Sequence, residues 1–128
     1  MTLEVSFPGG VKVNVTYKGF TTTTDQSKAD GGENTAPNPF DLFLISVASC
    51  AGYFALTYCT KRKLPTDGLK VSMEPTFDGG RNVVSVAIKV TPPKDFPEGQ
   101  KEALLRSVAA CKVKKHLENP PKFEVELA

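Results

Sequence analysis

The sequence predicts an α+β fold in which an antiparallel β-sheet packs on one long buried central helix. Three observations predict it. Apolar and polar residues alternate with a period of two towards both ends of the chain and again after its middle. One stretch, Leu42 to Cys59, runs for 18 residues without a charge. The strand-like runs follow one another across Gly-containing turns, as hairpins do, and are not each separated by a helix as βαβ units would be.

Leu3, Val5 and Phe7 alternate with Glu4 and Ser6, and Pro8-Gly9-Gly10 turns the chain. Val11, Val13, Val15 and Tyr17 then alternate with Lys12, Asn14 and Thr16, which completes a hairpin with one wet face. Gly19 permits a second sharp turn, and the β-branched run Phe20 to Thr24 predicts a third strand. Residues 25–37 contain no large apolar group and form a long polar loop, a length at which loops are often functional. Asn38 and Pro39 open a helix as N-cap and first helical residue, with Asp41 near the positive end of the dipole. Nothing breaks that helix before Lys61-Arg62-Lys63, and Pro65 stops it, so it has about 25 residues and a length of about 37 Å. Leu69, Val71 and Met73, then Val84, Val86, Ile88 and Val90, alternate on either side of Asp78-Gly79-Gly80 and form a second hairpin. Residues 98–110 and 111–118 read as two helices, and Phe123, Val125 and Leu127 as a final strand. The order is β-β-β-α-β-β-α-α-β.

At 128 residues the chain is a single domain, residues 1–128. Its 40% apolar content supports a core and excludes disorder. A net charge of +2 excludes the strong field of a nucleic-acid binder. Three cysteines are too few for a disulfide scaffold, and an odd count with no leader segment indicates free thiols in the cytoplasm. One histidine rules out a multi-histidine metal site. Gly31-Gly32 and Gly79-Gly80 are turn signals without a phosphate loop around them, so no cofactor is expected. Leu42 to Cys59 meets the minimum length of a membrane span. Ser46, Ser49, Gly52 and Thr57 lower its hydrophobicity, and the better reading is a helix buried on all sides in a soluble protein with no membrane partner.

Such a helix implies a second copy of the chain. A domain of this size is about 36 Å across, so the helix runs its full width, and six short strands cover only one side. Phe43, Ser46, Val47, Cys50, Phe54 and Thr57 share one face at helical spacing; Ile45, Ala48, Gly52, Ala55 and Cys59 share the other. The second, small-residue stripe admits close approach of a neighbour. A homodimer follows, unless the two C-terminal helices complete the cover within one subunit.

The thiols differ in setting. Cys50 and Cys59 point in opposite directions on one helix, about 13 Å apart along its axis, and cannot join. Cys59, in the small-residue stripe, reads as packing. Cys50 lies on a face that also carries Ser46 and Thr57. Cys111 opens a short helix, where the dipole and Lys112, Lys114 and Lys115 would stabilise its thiolate. An inert core role is open for each of them. His116 is poorly phased with Cys111 for a catalytic or zinc pair.

Two blocks carry a resemblance. Residues 31–69, GGENTAPNPFDLFLISVASCAGYFALTYCTKRKLPTDGL, resemble the central block of the OsmC/Ohr family: a Gly-rich polar loop, a Pro-started buried helix with a cysteine in its middle, and a short basic stop. ACKVKKHL, residues 110–117, resembles the second cysteine block, usually Cys-Pro-Val, with Lys112 in place of the proline. The resemblance implies an OsmC-like fold, an intertwined homodimer and thiol peroxidase activity. Cys50 would be the peroxidatic thiol, Cys111 would resolve its sulfenic acid as a disulfide, and a dithiol reductant would regenerate the pair. A small organic hydroperoxide, or another apolar small molecule, would lie against Phe40, Phe43, Val47, Tyr53 and Phe54. The same residues also fit a redox sensor or a small-molecule-binding dimer without peroxidase turnover. The family's peroxidases carry an early-strand arginine and a glutamate just after the helix-opening proline. Here Phe40, followed by Asp41, occupies the glutamate position, and no arginine precedes Arg62. With only Lys12 or Lys18 to replace the cation, burial is expected to raise the Cys50 pKa, and turnover to be modest and to increase with pH.

Overall fold

The computed structural model describes residues 1–128. The polypeptide divides into two compact units, Met1–Ile45 and Ser46–Ala128.

In the first unit, β1 (Glu4–Gly9), β2 (Lys12–Tyr17) and β3 (Phe20–Thr24) form an antiparallel sheet in that order. Val5 pairs with Val15, and Val15 with Thr22, so the predicted alternation sets the register. Gly10, at φ 57°, makes the first turn possible. Phe7 and Phe20 stay exposed. The polar segment after β3 is folded back on Asp25, which is buried. Asp25 Oδ2 accepts hydrogen bonds from the Glu33 N–H (3.2 Å), the Thr35 N–H (3.1 Å) and the Thr35 hydroxyl (2.7 Å). These bonds hold its carboxyl down at a pKa of about 2. Gly32 packs so tightly here that a Cβ would run into the Gln26 carbonyl oxygen and come within 2.8 Å of Asp25 Oδ1.

Helix α1 (Pro39–Lys61) begins in the first unit and continues into the second. Asn38 caps it as predicted, its Oδ1 accepting from the Asp41 N–H at 2.8 Å. Its 23 residues span about 34 Å. The C-terminus closes with Lys63 in a left-handed conformation (φ 55°) and the Leu64 N–H bonded to the Cys59 carbonyl at 2.9 Å. By length and composition α1 is apolar enough to cross a membrane.

In the second unit, β4 (Lys70–Phe77) and β5 (Val83–Thr91) form an antiparallel pair. Asp78 shapes their turn, accepting from the Gly80 N–H (2.9 Å) and the Asn82 amide (3.0 Å). A 3₁₀ turn leads into α2 (Lys101–Ala109), and α3 (Lys112–Glu118) follows. The core joins Ala51, Ala55, Tyr58 and Cys59 of α1 to Leu104 and Val108 of α2, with Val71, Ile88 and Val90 of the hairpin packed against it. Tyr58 is fixed at both ends. Its hydroxyl donates to Gln100 Oε1 at 2.9 Å, and the Arg62 guanidinium lies 3.7 Å from its ring centre.

One expectation becomes specific and one is corrected. Within the chain α1 is buried along one arc only, Val47, Ala51, Ala55, Tyr58 and Cys59, while Ser49, Tyr53, Leu56 and Thr60 on the opposite arc are exposed. Ala55 and Cys59 of the small-residue stripe therefore face the chain's own core. One hairpin and one short helix have the breadth to cover one arc of a helix and no more. The final strand is also not formed: residues 119–128 have no regular structure, and Phe123, Val125 and Leu127 are 84% to 101% exposed. An alternating segment becomes a strand only where a sheet edge is there to pair with it.

Candidate functional site

Cys50 and Cys111 meet in the second unit. Cys50 is half-buried, at the edge of α1's buried arc. Cys111 is fully buried between α2 and α3, as the N-cap of α3. Its sulfur accepts from the Lys114 N–H at 3.5 Å, as a cap residue's side chain does.

The two thiols act on one another, and their pKa values move in opposite directions. Burial pushes the Cys50 pKa up. The donors outweigh it: the Cys111 thiol and the N–H groups of Val113 and Lys112 bring Cys50 below the ordinary thiol value. Burial likewise raises Cys111, and Cys50 raises it further. Cys59 is buried and raised by desolvation, with Arg62 pulling the other way. One of the three thiols is thus lowered, and the other two are raised.

Two sequence-based expectations change here. The Cys50 pKa is lowered rather than raised, because main-chain and thiol donors do what a cation was expected to do. The first turn of α3 acts on both thiols, the Val113 and Lys112 N–H groups lowering Cys50 and those of Lys114 and Val113 lowering Cys111, but burial and the partner thiol leave Cys111 raised. Lys12 and Lys18 are engaged within their own unit: Lys12 with Glu33 at 3.1 Å, and Lys18 over the Tyr17 ring at 5.1 Å. The donors Lys112 and Val113 were missed. Their one signal was that Cys111 begins a helix, where unpaired N–H groups gather.

The five apolar candidates divide between the units. Phe40 and Phe43 stack in the first with ring centres 5.5 Å apart. In the second, Tyr53 and Phe54 meet edge to face at 5.5 Å, with Tyr53 exposed, Phe54 half-buried and Val47 buried. A separate open groove of about 560 Å³ in the first unit is lined by Asn34, Thr35, Ala36, Pro37, Asp41, Leu44 and Ile45. No three His, Cys, Asp or Glu side chains converge as metal ligands would.

Comparison with known proteins adds a family. A model described as OsmC-like protein matches residues 31–126. A crystal structure from Psychrobacter arcticus 273-4, of a protein provisionally described as an osmotic stress induced and detoxification response protein, is similar with a TM-score of 0.74 and 19% identity, over 90% of this chain and 86% of that one. A second solved structure, from structural genomics, is similar with a TM-score of 0.71 and 18% identity, over 94% of this chain and 91% of that one. No curated protein matches the chain.

Proposed function

Because the chain belongs to the OsmC-like protein family, we propose that it is a thiol peroxidase that reduces small organic hydroperoxides. The observation that supports this reading is the pair of unlike thiols acting on one another, Cys50 lowered and Cys111 raised. The Cys50 thiolate attacks the terminal peroxide oxygen. The O–O bond breaks, the alcohol leaves with a proton, and Cys50 becomes a sulfenic acid. Cys111 then attacks the Cys50 sulfur; water leaves, and a disulfide remains. A dithiol reductant returns both thiols by exchange.

Apolar hydroperoxides fit better than hydrogen peroxide, because Tyr53 and Phe54 flank Cys50 on its helix and Val47 lies one turn before it. The chemistry draws on no metal or cofactor. The working form is a homodimer, since α1 leaves Tyr53 and Leu56 exposed opposite its core-facing arc. The setting is the cytoplasm, where a thiol pair is kept reduced. Neither a membrane nor a nucleic acid is a partner.

The test is consumption of cumene hydroperoxide by the reduced protein with a dithiol present. Cys50→Ser should abolish it. Cys111→Ser should permit one turnover and then stall at the sulfenic acid. Equal turnover by wild type and Cys50→Ser would refute the assignment.

A further inference from the structure

Resting on the reading that Cys50 and Cys111 form the disulfide of the cycle, we propose that the exposed lysine side chains of α3 are the docking surface for the reductant, and that this reductant is a protein dithiol set in an acidic surface. The chain's positive charge is gathered here. Of its 16 basic residues, Arg106, Lys112, Lys114 and Lys115 lie within residues 103–117, with none of its 14 acidic ones, so the remainder of the chain is slightly negative. Lys112 and Lys115 are exposed and three residues apart, which makes them neighbours on the helix surface. Of the three lysines only Lys114 has an ion-pair partner, Glu118 at 3.7 Å. The charges of Lys112 and Lys115 are left to solvent or to a partner.

This surface adjoins the thiols. Cys111 directly precedes Lys112, and its carbonyl accepts from the Lys115 N–H at 3.1 Å. The Ser107 hydroxyl, four residues before Cys111, donates to the carbonyl of Phe54, four residues after Cys50, at 3.5 Å, and so ties the two cysteine segments together. Cys111 is buried and Cys50 half-buried, so a partner thiolate attacks the Cys50 sulfur. The S–S bond breaks, and Cys111 leaves as a thiolate. The partner's second thiolate then attacks the partner's own sulfur in the mixed disulfide and releases Cys50. The partner's dithiol is oxidised to a disulfide, the Cys50–Cys111 disulfide is reduced, and two protons pass from one pair to the other. Unpaired lysines beside this exchange raise the encounter rate of an acidic partner and repel a basic one.

The experiment starts from the disulfide formed with diamide, so it requires no hydroperoxide turnover. Two synthetic dithiol peptides of one sequence, flanked by aspartates or by lysines, reduce it, and the rate of each is measured. The aspartate-to-lysine rate ratio is divided by the same ratio on hydroxyethyl disulfide, which corrects for the peptides' own thiol pKa values. At low ionic strength the corrected ratio should be roughly three to ten in wild type, and high salt should bring it towards one. The double variant Lys112→Glu, Lys115→Glu should invert the ratio. The double variant Lys112→Gln, Lys115→Gln should bring it to one, and serves if the glutamate variant misfolds. A corrected ratio of one in wild type at low salt overturns the proposal, as does a ratio that neither variant changes. Failure of diamide to join Cys50 to Cys111 overturns it too. A disulfide that is reduced as described, in a protein that consumes no hydroperoxide, would sink the peroxidase reading alone.

Discussion

Cys50 and Cys111 act on one another so that their thiol pKa values move in opposite directions, Cys50 down and Cys111 up. Two adjacent thiols do not both ionise easily. Donors on α3 lower both thiols, but only in Cys50, the more accessible of the two, do they and the partner thiol outweigh burial.

Selective alkylation follows from the sign of these shifts. A lowered pKa means more thiolate at a given pH, and the thiolate is the nucleophile. Iodoacetamide near neutral pH should label Cys50 first. Cys111 and Cys59, both raised and both buried, should resist until alkaline pH or unfolding. Mass spectrometry of tryptic peptides over time checks this, and early labelling of Cys111 would reverse the assignment.

Hydroperoxide treatment should form a Cys50–Cys111 disulfide and leave Cys59 free. Cys59 faces the core with Leu104 and Val108, away from the pair. Peptide mapping without reduction should find a single dominant cross-link. A dominant bond to Cys59 would require α1 to rotate.

Asp25 makes the first unit sensitive to acid. Its carboxyl is lowered from 3.8 to about 2 by its hydrogen bonds, the bond from the Thr35 hydroxyl first. A depressed folded pKa contributes stability that is present above the unfolded value and is lost as pH falls through the folded one. Asp25→Asn, which places an amide against donors, should lower the melting temperature at neutral pH. It should also weaken the pH dependence of melting between about 4 and 2. Calorimetry across that range tests both.

Gly32→Ala should destabilise the same loop by about 1–3 kcal/mol, the usual cost of forcing atoms into filled space. The obstruction is the Gln26 backbone, which cannot rotate aside as a side chain would. Denaturant unfolding measures it, and a neutral result would mean the loop is looser than its bonds to Asp25 imply.

Sedimentation at low micromolar concentration should give about twice 13.8 kDa. Leu56→Glu places a charge on the exposed arc of α1 and should give a folded monomer. A wild-type monomer at that concentration would remove the dimer.

Most of the fold was legible because it is local. The alternation in residues 3–24 and 69–90 sets which face each side chain takes, and Asn38-Pro39 starts α1 through a cap formed within four residues. The candidate site was legible as two cysteines in family-like blocks, but not as chemistry. Helical phase placed Cys50 and Cys59 on opposite sides of α1, and Cys59 does face the core. It could not show that the Ala55 and Cys59 stripe packs inward, since phase gives relative direction and not which side meets the sheet.

By itself the sequence determined the five strands that form, the three helices, the Asn38 cap and the absence of an early arginine. Only the tertiary structure decided which thiol's pKa falls and which rises. A cap residue's position follows from its immediate neighbours in the chain. Whether the leading amides of α3 act on Cys50 as well as on Cys111 depends on how α3 docks against α1, and a hydrogen bond is lost within about an ångström of misplacement. The tail obeys the same logic. Phe123, Val125 and Leu127 have the period of a strand, and a strand is completed only by the edge it finds.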